Sequence, residues 1–462
     1  MGSLLKRLRN RLTGTGAALA RMDEIQEALS ELQRMSAAQG NLLDTQNQRI
    51  ESLLARVEEL SIRERQREIA EAIAQRPVDD PVRMTFFFQS PETWSTWNTV
   101  WEAVSADPRA DVKLVYLPFF HDEAGEDARM RSFLAERDLP FVQASAYDLE
   151  ADAPDVAFFQ NPYDSTRPEE YAAVRLASLG IRLAYVPYGL EVGGGAENLR
   201  WQYDLDLQRL AWRVFVRAPR HRHMYARYCQ TGSAHVRVTG HPKLDRYSQG
   251  LMSARKGHLA NWLGDRRALL WTPHFSVEAG GWSTYREYGE TILRAFENRS
   301  DLALIVRPHP LFFGRMRKLG LMDDAREAAF RERLKASGNI ILDESFDYAE
   351  AFACSEALLA DAGSFVLEYL PTGKPVLYLD QPQGPGLNEE GEVVRGYYSA
   401  RNDADILDFI AMMARGDDPM REQRLALIPE FFGVLDGKAG ARIAEDIIEG
   451  VRAERRLGGR RR

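Results

Sequence analysis

Between residues 22 and about 75 the apolar positions recur at heptad spacing, the period of a helix that buries one seam against a partner. One series reads Met22, Leu29, Ser36, Leu43, Ile50, Val57, Glu64, and the other Ile25, Leu32, Gln39, Gln46, Leu53, Leu60, Arg67. Nine of these fourteen positions are apolar, and the polar interruptions fall mainly at 36–46. The pattern predicts a coiled-coil helix over 21–76 that brings copies of the chain together; the plainer reading is a long helix folded back on its own domain.

Pro77-Val78-Asp79-Asp80-Pro81 ends this helix, because proline removes a backbone donor and restricts its predecessor. Beyond it, short apolar runs alternate with amphipathic stretches. Strands are predicted at 84–89, 112–117, 155–160, 181–186, 212–216 and 235–238, with helices at 91–105, 126–137 and 168–179 among them. The pattern then restarts, with strands at 268–272, 303–307, 339–342, 357–360 and 375–379. Helices are predicted near 283–297, 323–336, 347–354 and 365–371, then a helical tail over 402–455. Strand–helix alternation implies parallel sheets with crossover helices. The reading is therefore α/β: two doubly wound, Rossmann-like domains over 82–250 and 251–455, facing a cleft.

Composition narrows the function class. The 462 residues carry 60 Lys+Arg against 68 Asp+Glu, a net charge of −8, which argues against nucleic acid as the partner. Two cysteines, Cys229 and Cys354, exclude a disulfide framework and suit a reducing cytoplasm. There is no apolar run long enough for a membrane span or a secretory signal. The basic amphipathic stretch 4–12 within segment 1–20, and the arginines Arg455, Arg456, Arg460, Arg461 and Arg462, would allow weak contact with the inner face of an anionic membrane; solvated, frayed ends explain them equally well.

In open parallel sheets, ligands bind beyond the carboxyl ends of the strands, where loops enter helix N-termini. That rule selects Trp271-Thr272-Pro273-His274 and Arg307-Pro308-His309-Pro310, where prolines hold Arg307 and His309 rigidly at a strand end. It also selects Asp361-Ala362-Gly363-Ser364: here Gly363 is expected to allow a tight turn and Ser364 to cap a helix and meet a phosphate. Glu368 follows one turn on, placed to take a pair of sugar hydroxyls. Arg395, in a loop between Gly391 and Gly396, suits bidentate phosphate binding. Each element alone also reads as an ordinary turn or cap; their recurrence at consecutive strand ends is what points to a site.

The ordered set Gly240-His241-Pro242-Lys243-Leu244-Asp245, Trp271-Thr272-Pro273, Arg307-Pro308-His309-Pro310, Asp361-x-x-Ser364-x-x-x-Glu368, Lys374-Pro375-Val376 and Arg395-Gly396-Tyr397 resembles the CDP-glycerol glycerophosphotransferase family. These enzymes build teichoic-acid and capsule-type polymers on a GT-B scaffold. The resemblance covers roughly residues 180–400 and is strongest over 301–400. It implies a transferase that moves a glycerol phosphate, or a related group, from a CDP-activated donor to a glycan or polymer acceptor. The nucleotide would lie on the second domain; the candidate substrate- and nucleotide-binding residues are Gly189, His241, Thr272, His274, Arg307, Gly363, Ser364, Glu368 and Arg395, with His309 a candidate catalytic donor of a hydrogen bond or proton to the phosphates, and no metal or other cofactor is expected.

The sequence departs from that family at the site of the presumed catalytic base. A His-Gly pair is usual there, whereas this chain reads Tyr185-Val186-Pro187-Tyr188-Gly189-Leu190, with Tyr188 in the His position. The first Ser of the family's Asp-x-Ser-Ser is also Gly363. Tyrosine is a poor base at neutral pH, so Tyr188 is read as positioning the acceptor while Glu191 takes the proton, with His274 next in line. Gly189 and Gly193-Gly194-Gly195 would make room for the ligand. Rival readings are a glycosyltransferase with another nucleotide-sugar donor, an epimerase on the same scaffold, and a catalytically weakened assembly protein.

Overall fold

A computed structural model describes residues 63–119, 126–248, 255–297 and 299–459, with Glu24, Leu53, Arg56, Leu60 and Gly250 besides. Near-continuous apolar runs become central strands buried on both sides, as parallel sheets demand. The first sheet comprises β1 (Val82–Phe88), β2 (Ala110–Tyr116), β3 (Val142–Gln143), β4 (Val156–Phe159), β5 (Arg182–Tyr185), β6 (Arg213–Val216) and β7 (Val236–Val238). Their order is β3-β2-β1-β4-β5-β6-β7, and every pairing is parallel.

The second sheet comprises β8 (Arg267–Thr272), β9 (Leu302–Val306), β10 (Ile340–Leu342), β11 (Ala357–Ala360), β12 (Val376–Leu379) and β13 (Tyr398–Ala400). Its order, β10-β9-β8-β11-β12-β13, is again all parallel. Both sheets thus reverse direction next to their first strand, the place where doubly wound folds open a crevice. The two strands missing from the sequence reading, β3 and β13, lie at sheet edges with two and three residues, too short to show a period.

The helical tail does not stay with the second domain. Its last helix, Ala439–Gly459, returns to the first sheet, and Ile443, Ile447, Ile448 and Val451 are buried with Val82, Phe86, Val104 and Phe158. Asp245 holds the start of this helix: its carboxylate accepts from the backbone N–H of Ala439 (2.9 Å) and Gly440 (3.0 Å) and from Thr99 Oγ1 (2.7 Å). Arg455, expected in a basic surface tail, is buried, and its Nη2 reaches Asp155 at 2.7 Å. It is therefore not available to a membrane, and Arg456 pairs with Glu449 at 3.3 Å.

Residues 63–74 are helical, and their Ile69 and Ile73 sit in the first domain's core beside Leu176 and Leu179. Gly180 (φ 74°) permits the close approach, since a Cβ there would lie 2.6 Å from that of Ala70. The end of the predicted coiled coil thus folds against its own domain; its remainder, apart from Glu24, Leu53, Arg56 and Leu60, lies outside the described residues, as do 4–12 and 460–462. Among the described residues, no helix is long and apolar enough to cross a membrane.

Candidate active site

The carboxyl ends of β8, β9 and β11 bring His274, His309, Gly363 and Ser364 together. His274 and His309 have ring centroids 5.7 Å apart, and a Cβ on Gly363 would lie 3.7 Å from His274 Cδ2. Gly363 is extended (φ −168°, ψ 174°), so the expected need for glycine in a tight turn does not arise; its bare Cα instead leaves space beside the imidazole.

Local hydrogen bonds fix both rings. The backbone N–H of Ser276 donates to His274 Nδ1 (3.1 Å), and that of Leu311 donates to His309 Nδ1 (3.1 Å). Each neutral ring therefore carries its proton on Nε2, which has no protein partner among the described residues. Burial disfavours the imidazolium, lowering His274 to about 4 and His309 to about 3. The Ser364 hydroxyl likewise has no hydrogen-bond partner among the described residues. Two neutral N–H donors and a hydroxyl at adjoining strand ends form a donor set suited to phosphate oxygens.

Asp361 holds this arrangement in place. Its carboxylate accepts from the His274 backbone N–H (2.8 Å), the Thr284 backbone N–H (3.1 Å) and Thr284 Oγ1 (2.5 Å). Burial raises Asp361 to about 6 against these bonds. Thr272 Oγ1 donates to Leu359 O at 3.4 Å, tying β8 to β11.

The loop after β5 approaches from the other domain. Its Leu190 and Val192 are buried in the second domain's core with Ala360, Val366 and Tyr378. Gly193 bridges to Leu387, the Gly194 N–H donates to Gly386 O (2.8 Å), and the Asn388 N–H donates to Val192 O (2.9 Å). A Cβ on Gly194 would stand 2.8 Å from Leu387 backbone. These glycines thus serve backbone contact between domains, not the open ligand space expected of them. Gly189 makes room for Glu191, whose Oε1 would be 2.2 Å from a Cβ there.

Between these anchors Tyr188 and Glu191 are partly exposed. The Tyr188 hydroxyl lies 3.0 Å from that of Tyr163, and burial raises it well above its ordinary value, so it works as a neutral hydroxyl. Burial also raises Glu191, to about 6; nearby Lys243 opposes this and Glu368 adds to it. That value matches a base operating near neutral pH.

Other expected site residues are held elsewhere. His241 is buried and donates from Nε2 to Pro187 O (2.8 Å), steadying the Tyr188 loop. Glu368 is buried and accepts from Lys243 Nζ at 2.9 Å. Arg307 forks to Asp343 Oδ2 (2.6 Å) and Ser345 O (2.6 Å) at the end of β10. Arg395 pairs with Glu430 and, at 3.6 Å, with Glu392. The structure therefore does not bring the two guanidinium groups to the histidine pair. Sequence reasoning missed Tyr163, four residues beyond the end of β4, although the strand-end rule covers that position.

Two all-parallel sheets, a loop after β5 that meets the second domain and a last helix crossing back to the first domain decide the architecture. The fold is GT-B. Solved structures agree. A Neisseria meningitidis UDP-GlcNAc 2-epimerase bound to UDP-GlcNAc superimposes with TM-score 0.58 at 14% identity, covering 80% of this chain and 100% of its own. The Methanocaldococcus jannaschii UDP-GlcNAc 2-epimerase in complex with UDP-GlcNAc and UDP gives 0.57 at 17%, with coverage of 80% and 100%. A variant of the wall teichoic acid polymerase TagF, soaked with CDPG, gives 0.52 at 12%, covering 88% of this chain and 98% of its own. No family model matches the chain, and no curated protein does.

Proposed function

We propose that this GT-B chain is a transferase of cell-surface polysaccharide synthesis. It would hold a nucleotide-diphosphate-activated donor on the second domain and pass a glycerol phosphate, or a related group, to a glycan or polymer acceptor at the loop after β5. One observation carries this reading: His274 and His309, whose Nε2–H groups have no partner among the described residues, stand with ring centroids 5.7 Å apart beside Gly363 and Ser364 at neighbouring strand ends. The TagF likeness favours CDP-glycerol as the donor.

In that reaction the acceptor hydroxyl oxygen attacks the β-phosphorus of the donor. A new P–O bond forms, the bond from that phosphorus to the bridging oxygen breaks, and CMP leaves with the bond's electrons. His274 and His309 donate hydrogen bonds to the phosphates as negative charge builds on the leaving group. Tyr188 positions the acceptor hydroxyl, and Glu191 takes its proton. The coiled coil would assemble copies of the chain, and the 4–12 segment would allow weak contact with the cytoplasmic membrane face.

A second reading, a nucleotide-sugar enzyme using UDP, draws on the higher TM-scores of the epimerases, 0.58 and 0.57 against 0.52. Thermal unfolding with CMP, CDP, UMP and UDP tests both, because a ligand at a hundred times its Kd stabilises the fold by about 2.7 kcal/mol. Stabilisation by cytidine nucleotides supports the first reading and by uridine nucleotides the second. If none stabilises, both fail.

A further inference from the structure

All eight tryptophans of the chain lie among the described residues, and Trp201 alone is exposed, at 48%. It stands on the helix Ala196–Tyr203 that follows the Glu191 loop, with its indole 5.9 Å from the ring of Tyr163. Tyr163 in turn meets Tyr188 edge-on at 6.3 Å, and the two hydroxyls lie 3.0 Å apart. The rings therefore run without interruption from an exposed indole to the phenol beside Glu191. A large apolar side chain left in water is costly, and here it borders hydroxyls and a carboxylate at the carboxyl ends of β4 and β5.

An aromatic face beside neutral hydroxyls and an acceptor carboxylate matches the chemistry of a pyranose. The sugar's C–H face covers the rings, and its hydroxyls bond at the edge. It matches a polyol phosphate poorly. Lys243, the cation whose charge acts on Glu191, is already bonded to Glu368. We infer that Trp201 and Tyr163 form an acceptor subsite that stacks a sugar ring and presents one of its hydroxyls to Tyr188 and Glu191. This inference rests on the proposed reading that the acceptor binds the first domain.

The test is saturation-transfer NMR and calorimetry on the full chain, with and without saturating CMP. The probes are methyl β-glucoside, methyl N-acetyl-β-glucosaminide, N-acetylmannosamine and glycerol 3-phosphate. At least one sugar should receive transfer on its ring C–H protons. Trp201→Ala should weaken that binding on the order of tenfold, as loss of a stacking aromatic does. Trp201→Phe should keep most of it, and both variants should melt like the parent because the side chain is exposed. The inference is overturned if no sugar binds in a Trp201-dependent way, or if only glycerol 3-phosphate binds. Nucleotide binding is read separately: sugar binding without CMP binding sinks the transferase reading and leaves the subsite, and the converse sinks the subsite alone.

Discussion

Lys243 Nζ lies 2.9 Å from Glu368 Oε1, and both side chains are buried. The pair joins the helix Pro242–Ser248, which follows the first sheet, to the helix Ser364–Glu368 of the second domain. Burial, the largest single influence, pushes the Glu368 carboxyl up, but Lys243, the Tyr348 hydroxyl and His241 together outweigh it and the net shift is downward. A depressed carboxyl contributes stability above its unfolded pKa and loses it as the pH falls through the folded value.

Removing one partner strands the other charge. Lys243→Ala should cost about 3–5 kcal/mol in urea unfolding, whereas the double change Lys243→Met with Glu368→Met should restore most of the loss. If the single variant unfolds like the parent, the pair does not hold the domains together.

His309 should govern the nucleotide and not the fold. A hydrogen bond to a charged phosphate is worth about 1.5–3 kcal/mol, so His309→Ala should weaken nucleotide binding by about ten- to a hundredfold, with little change in melting. The lowered histidines also predict acid sensitivity. The unfolded chain binds protons near pH 6.5 that native His309 and His274 refuse until about 3 and about 4, so their contribution declines as the pH drops below about 6.5. Urea midpoints of the parent and of His309→Gln across pH 4–7 would show this as a shallower acid slope in the variant.

The architecture was legible in the sequence because central parallel strands such as Phe86–Phe87–Phe88 and Leu302–Val306 are apolar throughout, and so was the position of His274, His309 and Ser364 just beyond neighbouring strands. Side-chain commitments were not legible. Nothing in the spacing shows that Arg307 turns to Asp343, or that Gly194 serves contact with Leu387 in the other domain, because both depend on how distant elements meet. The final helix misled for the same reason: its apolar stripe shows that Ile443 and Ile447 are buried, but not on which sheet.

That helix gives a stability prediction. Asp245→Ala removes the acceptor for the N–H groups of Ala439 and Gly440 and for Thr99 Oγ1, leaving buried donors unmet at about 1–3 kcal/mol each. Hydrogen exchange should show faster opening over 439–459 than over the second sheet. Equal protection of both regions would refute the role.

Truncation should separate two roles of the N-terminal segment. Deleting 1–60 should lower the number of copies per particle seen by light scattering while nucleotide binding persists. Deleting 1–76 should also destabilise the first domain, since Ile69 and Ile73 leave its core, and each buried side chain of this size is worth about 1.5–3 kcal/mol. An unchanged number of copies in the first deletion means that the heptad segment does not assemble the chain.

The last prediction concerns the proton. Glu191 is raised to about 6 by burial, with Lys243 opposing and Glu368 adding. A carboxyl raised in the fold contributes stability below its unfolded pKa and loses it as the pH rises through the folded value, so at pH 7–8 the ionised Glu191 is a burden on the structure. Glu191→Gln removes that charge without changing shape. It should therefore leave stability at pH 8 equal or higher, by on the order of 1 kcal/mol, while cutting turnover by about 10²–10⁴. The acid limb of the kcat profile near pH 6 should vanish with it. Tyr188→Phe removes a positioning hydroxyl that stays protonated, so it should lower turnover far less and keep the acid limb. Donor affinity should be nearly the same in both variants, because among the described residues no hydrogen bond or ring contact joins either side chain to His274 or His309. A Glu191→Gln enzyme with full turnover would place the base elsewhere, and His274 would be the next side chain to change.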